Sequence, residues 1–214
     1  MNDVFGSGNW LDYRFQTTPV TSIFNAANSF VFLEGSDNTA NDLEAFLTTN
    51  QTAVETYVSN GGSLFINSAP NVGNGMSYLF GDVSLVYPSF TGATLAYPVN
   101  PAHPIFNGPF NPANGNFTGN YFSHGHITGT NVSALIVNGA NNTVLGEKYF
   151  GSGRVLFGAM TTDNWQTPDP QANNMRRNIL AYGASYQAPT VPEPATLSLL
   201  FVGLVGLFFL RRKK

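Results

Sequence analysis

Cysteine is absent from the 214 residues, which excludes disulfides, a thiolate nucleophile and every cysteine-based zinc site. Charge is scarce as well: Asp, Glu, Lys and Arg make up 10% of the chain, against roughly 25% in an average soluble protein. The net charge is -3, and the body has no cluster of Lys and Arg that could displace counterions from phosphates, so nucleic acid is excluded as a partner. Asn, Thr, Ser and Gly fill the polar positions instead, which gives a neutral, hydrogen-bonding surface. The length suits one body with a real core plus a tail, rather than two domains.

The charge that is present gathers at one end. Residues 195–210 are apolar or small, with only Thr196 and Ser198 polar, and Arg211, Arg212, Lys213 and Lys214 follow at once. That pattern predicts a transmembrane helix over 195–210 with a basic cytoplasmic tail over 211–214, and it places the body across the membrane from the cytoplasm. The helix would span ~24 Å at ~1.5 Å per residue, against a hydrocarbon core of ~30 Å, which is short for a permanent anchor. Before it, residues 187–194 read as a stiff linker carrying Pro-Glu-Pro, whose prolines keep the chain extended and unable to join the helix. The body is then 1–186.

Val191, Pro192, Glu193, Pro194 and Ala195, then the apolar stretch, then Arg211 and Arg212, together resemble the PEP-CTERM sorting signal of Gram-negative bacteria that make extracellular polysaccharide. The resemblance implies export and transient anchoring in the inner membrane. An exosortase is then expected to cut near the Pro-Glu-Pro, and the protein to reach the cell surface or extracellular matrix. An exported chain begins with a basic, apolar leader, whereas this one opens MNDVFGSGNWLDYRF. Either a leader is lost upstream or export uses another route; the expectation is the former, an in-frame leader, and another strand, upstream of Met1.

Within the body, residues 30–33 form a short apolar run bounded by turn residues, as in a buried strand. Asn41 and Glu44 have capping-box spacing, and Leu43, Phe46, Leu47, Val54, Tyr57 and Val58 recur at helical period until Gly61 and Gly62. SLFIN supplies a second buried strand, so strand, helix and strand predict a parallel crossover. Residues 87–112 are punctuated by proline and read as an irregular excursion. SALIV, NTVLGEKYF and GRVLFGAM read as three strands joined by tight turns. Asp169 is placed as the cap of a last helix with Pro170 at its first position, and Met175, Ile179, Leu180 and Tyr182 as its buried side.

AVETYVSNGGSLFINSAP, HPIFNGPF, GSGRVLFGAM and NMRRNILAYGA resemble successive pieces of the class I glutamine-amidotransferase-like fold, in particular its trehalose-utilisation-like branch. The fold class that follows is α/β: three layers, a mostly parallel sheet flanked by helices, an irregular mid-chain excursion and the C-terminal membrane helix. Any site is expected at the carboxyl ends of the parallel strands. The family places a nucleophilic Cys, or in that branch often a His, on the turn after SLFIN. This chain has Asn67, Ser68 and Ala69 there, outside any Gly-x-Ser-x-Gly elbow, so Ser68 reads as a turn residue and no catalytic residue is assigned.

Other candidates remain. His124 and His126 stand two apart, so in an extended segment both rings share a face and could hold a divalent metal, with His103 or Asp163 as third ligand. Asp163, Asn164 and Trp165 follow a strand end and can bind sugar by hydrogen bonds and stacking. Glu34, Ser36 and Asp37 occupy the matching end of the first strand. Two functions compete: a non-enzymatic surface or matrix protein that meets polysaccharide, and a secreted metal-dependent or carbohydrate-modifying hydrolase. The missing thiol and the lack of a paired carboxylate motif favour the first, with no cofactor.

Overall fold

The computed structural model describes residues 1–87 and 93–188, with all side chains except those of Ala93, Asn120 and Asp163. Two short helices, α1 (Asn2–Phe5) and α2 (Val20–Ile23), lead into β1 (Phe30–Glu34). The amphipathic α3 (Ala40–Ser59) connects β1 to β2 (Ser63–Asn67). β1 and β2 pair in parallel, with Val31 beside Leu64 and Leu33 beside Ile66, which is the crossover the spacing predicts. The buried face of α3 contains all six apolar residues named from the sequence. Its start differs: Thr39 is the N-cap and no side chain caps the helix, so Asn41 and Glu44 lie within the helix. Gly61, at φ +104°, supplies the left-handed conformation that turns the chain into β2.

The middle of the chain builds β3 (Gly75–Ser77), β4 (Ser84–Val86), β5 (Ala93–Pro98), α4 (Pro104–Asn107), β6 (Phe117–Ser123) and β7 (His126–Thr128). The expected excursion thus delivers a full strand, β5, into the main sheet between β8 (Ser133–Asn138) and β6. β9 (Thr143–Phe150) and β10 (Gly153–Gly158) follow, then the short β11 (Gln166–Thr167) and α5 (Gln171–Ala184). Pro170 is the N-cap of α5, without a side-chain cap, so the cap expected from Asp169 is not formed. Gly183 lies inside α5, where a Cβ would come 2.5 Å from the ring of Phe30.

The sheet runs β1-β2-β10-β9-β8-β5-β6-β11, with the β3-β4-β7 ribbon attached through β7 to β9. Among the described residues only β1/β2 and β2/β10 are parallel, which corrects the expectation of a mostly parallel sheet. The reason is local: β8, β9 and β10 are joined by turns of a few residues, which can connect only antiparallel neighbours. Around the parallel strands helices pack on both faces. Leu33, Ile66 and Phe157 face α3 in one core, while Phe65 and Leu156 face Met175 and Ile179 of α5 in the other, an alternation set by the period of two. The expected membrane helix over 195–210 and the basic tail over 211–214 lie outside the described residues. Among the described residues no helix is long and apolar enough to cross a membrane.

Candidate functional site

The three parallel strands end on one rung, Glu34 beside Asn67 beside Gly158. Asn67 is buried and cross-links the rung: its amide nitrogen donates to Glu34 Oε2 and to the Met160 carbonyl, both at 2.9 Å. Its oxygen accepts from the Met160 amide at 3.1 Å. A Cβ at Gly158 would lie 2.3 Å from that oxygen, so glycine there makes room for Asn67. Ser36 donates to Glu34 Oε1, and its oxygen accepts from the Ala69 amide. Asp37 and Pro70 form a bridge, and Asn71 donates to Asp37 Oδ1 at 2.7 Å. The loops after β1 and β2 are thereby zipped together.

Burial pushes the Glu34 carboxyl above its ordinary range; the bonds from Ser36 and Asn67 and the charge of Arg176 pull the other way. Arg176 comes from α5, and its guanidinium also donates to the Thr161 carbonyl. Tyr78 is fully buried, donates to the Gly158 carbonyl at 3.0 Å, and is held strongly protonated by burial and by Glu34. Ser68, also fully buried, donates to the Gly35 carbonyl at 2.6 Å. Its proton is committed to a backbone acceptor rather than to a base, so the geometry gives no activated nucleophile.

His124 joins this rim, whereas His126 does not. The chain bends at His124 and Gly125 between β6 and β7, so the segment is not extended and the two rings do not follow the same-face rule. His124 is buried, with Nδ1 2.9 Å from the Pro70 carbonyl, and a carbonyl can only accept, so Nδ1 carries the proton. His126 pairs with Val86 in the ribbon, where burial lowers its pKa. His103 caps α4, accepts from the Ile105 amide at 3.4 Å and packs edge-on against Tyr182, near the far end of α5. Among the described residues no three His, Cys, Asp or Glu side chains are grouped to hold a metal.

Asp163, Asn164 and Trp165 form a 3-10 turn beyond β10. β11 pairs with β6 at Gln166 and Gly119, and the Thr161 hydroxyl donates to the Tyr121 carbonyl. The turn therefore lies over 119–121, with Trp165 46% and Tyr121 37% exposed. Two buried atoms on this side, Ser123 Oγ and Gln166 Oε1, have no hydrogen-bond partner. The rim thus offers two aromatic surfaces, amides, hydroxyls, one guanidinium and one carboxyl reluctant to ionise. Sequence reasoning named Glu34, Asp37, His124, Asn164 and Trp165 but missed Tyr78, Tyr121 and Arg176. Only Arg176 left a signal, as a cation within the helical apolar pattern of a chain poor in charge.

Fold and rim together define a mixed α/β protein with a curled sheet and helices on both faces of its parallel part. The model of the PEP-CTERM protein-sorting motif matches residues 190–213. Within the match fall Val191, Pro192, Glu193, Pro194, Ala195, Arg211 and Arg212, all outside the described residues. The motif implies export, a membrane-associated C-terminal tail and an exosortase as partner. No curated protein matches the chain. A cytoplasmic protein from Salmonella typhimurium is similar at a TM-score of 0.45 and 16% identity, over 78% of this chain and 77% of that one. A β-galactosidase from Bacillus circulans sp. alkalophilus is similar at 0.39 and 12%, over 73% of this chain and 22% of its own. The cold-adapted β-galactosidase from Rahnella sp. R3 gives 0.43 and 11%, over 72% and 22%. The chain thus spans about a fifth of the length of those two enzymes. Likenesses at this level do not confirm the amidotransferase-like fold and carry no activity to this chain.

Proposed function

We propose that the chain is an exported surface or extracellular-matrix protein, sorted and processed by an exosortase at the inner membrane. Its body, 1–186, is a non-catalytic variant of the amidotransferase-like fold that binds polysaccharide or another surface partner through the rim. Residues 187–194 are the linker, 195–210 the membrane helix and 211–214 the cytoplasmic tail. The observation that carries the reading is the sorting motif, which begins two residues beyond Ala188, where the chain still packs on the body against Gly61. The committed hydroxyl of Ser68 and the neutral, aromatic-flanked rim support binding over catalysis. A second reading, a carbohydrate-modifying hydrolase, is favoured by one observation: burial raises the pKa of the Glu34 carboxyl beside Arg176, the direction a general acid needs.

The test is to express the full gene in a host with an exosortase and measure the mass of the mature chain. A terminus near 191–195 is expected, and replacing Pro192, Glu193 and Pro194 with Ala should leave uncleaved protein in the membrane fraction. An intact chain released from cells would defeat the sorting reading. For the body, Trp165→Ala should weaken binding to a neutral polysaccharide at least about tenfold, roughly 1.4 kcal/mol, without altering the fold. Turnover of that polysaccharide by wild type, lost in Glu34→Gln, would establish the hydrolase instead.

A further inference from the structure

The parallel strands have two poles, and the tail leaves from the one opposite the rim. α3 starts behind the rim at Ala40 and ends at Ser59, and α5 starts after the rim loop and ends at Ala184. Both helices therefore finish where β1, β2 and β10 begin. Beyond α5 the chain is still held: the Tyr186 hydroxyl donates to the Ser152 carbonyl at 2.7 Å, and its ring lies 4.9 Å from the guanidinium of Arg154. Ala188 follows against Gly61, close enough that a Cβ there would meet it at 2.8 Å. The exit point is thus fixed on the turns at 60–62 and 151–152.

The chemistry of this pole is distinctive. Tyr149, 61% exposed, has its ring 6.2 Å from that of Tyr186. Beside the pair opens a groove of about 740 Å³, lined by residues such as Asn25, Asn28, Thr52, Asn60 and Gln187, with no charged side chain in its lining. A groove without charged side chains loses no ion solvation on close approach to a headgroup layer, and an exposed tyrosine such as Tyr149 suits the membrane interface.

Reach then limits how far the exit pole can stand from the bilayer. Six residues, 189–194, separate Ala188 from the apolar stretch, and at no more than ~3.6 Å each they span at most ~22 Å. The rim stands a further ~17 Å away, the length of β10 at ~3.3 Å per residue. We propose that, while the chain is tethered, the pole bearing Tyr149 and Tyr186 rests on the lipid headgroup layer and the rim of Glu34, His124 and Trp165 faces outward. This rests on the reading that residues 195–210 sit in the bilayer. Its consequence is that the binding face is open to large surface polymers before cleavage releases the body.

The absence of cysteine makes the test direct. Asn60→Cys, at the exit pole, and Asn164→Cys, at the rim, are each labelled with a fluorescent donor in the full chain. Each is then reconstituted into phosphatidylcholine vesicles carrying a headgroup acceptor. Energy transfer from position 60 should exceed that from 164 at least threefold, and adding Tyr149→Ser should reduce the excess by half or more. Equal or reversed transfer from protein that pellets with the vesicles would overturn the orientation while leaving the membrane tail intact. An excess untouched by Tyr149→Ser would overturn the lipid contact, as would one that forms only when exosortase is added, since the pole would then dock on protein. A chain that stays in the supernatant would overturn the membrane reading and this proposal together.

Discussion

Glu34 is the side chain on which the rim turns. The residue as a whole is half-buried, but its carboxyl is buried, bonded by Asn67 and Ser36, and pushed by burial above the ordinary value of 4.5. A group whose acid constant rises on folding binds its proton more tightly when folded. Its favourable contribution is therefore complete below pH 4.5 and is lost as pH climbs through the folded value. Glu34→Gln keeps an acceptor for Asn67 and removes the charge. Urea midpoints should be higher for the variant near pH 7, and the difference should vanish below pH 4.5; the opposite sign would mean that Arg176 outweighs burial. Part of this was legible: Glu34, Ser36 and Asp37 follow an apolar run, and the carboxyl end of a parallel strand is where open sheets gather function. The partners were not, because Asn67, Tyr78 and Arg176 come from segments up to 142 positions apart from Glu34, and nothing in a single sequence states their meeting. The chain bends at His124 and Gly125, where the same-face rule assumes extension.

Elements with strong periodicity were the most readable, and their ends the least. The six apolar positions of α3 fixed its buried face, whereas the capping motif at Asn41 and Glu44 misplaced its start. The helix also kinks at Asn50, at φ -113°, with the Asn50 amide donating to the Phe46 carbonyl at 2.8 Å, a side-chain competition of the kind asparagine brings to helix interiors. The proline-punctuated excursion gave no sign that one of its strands, β5, pairs on both sides within the main sheet. The tight turns, by contrast, were read correctly, and one of them clamps two layers. The β9-β10 turn sits under the end of α3: the Ser152 amide donates to the Ser59 carbonyl at 2.9 Å, and a Cβ at Gly153 would fall 2.0 Å from the Val58 carbonyl. Backbone cannot yield as a flexible side chain can, so Gly153→Ala should destabilise by about 2–3 kcal/mol, read as a shift of the urea midpoint with an unchanged slope. A near-neutral result would mean that α3 slides freely over β10.

At the scale of the whole molecule, a tail exit beside an uncharged groove, a body held by two cores and a polar rim at the opposite pole put the tail and the rim at different ends of the body. Arg154 is the link between body and exit. It is buried, donates to the carbonyls of Tyr182 and Gly183 at the end of α5, and lies under the rings of Tyr182 at 3.8 Å and Tyr186 at 4.9 Å. A cation against the last carbonyls of a helix is favourable, and the tyrosine rings shield it from water. Two truncations follow from this. A chain ending at Ala188 keeps Tyr186 and its bond to Ser152, so it should be soluble and unfold cooperatively in urea, because both cores are complete within it. A chain ending at Ala184 loses that bond and the ring over Arg154, and should be less stable by about 1–3 kcal/mol. Aggregation of the longer truncation would mean that the apolar stretch over 195–210 belongs to the core rather than the membrane. Equal midpoints for the two would mean that the chain is not fixed at its exit, and that the ~22 Å limit on the body's distance from the bilayer is drawn from the wrong residue.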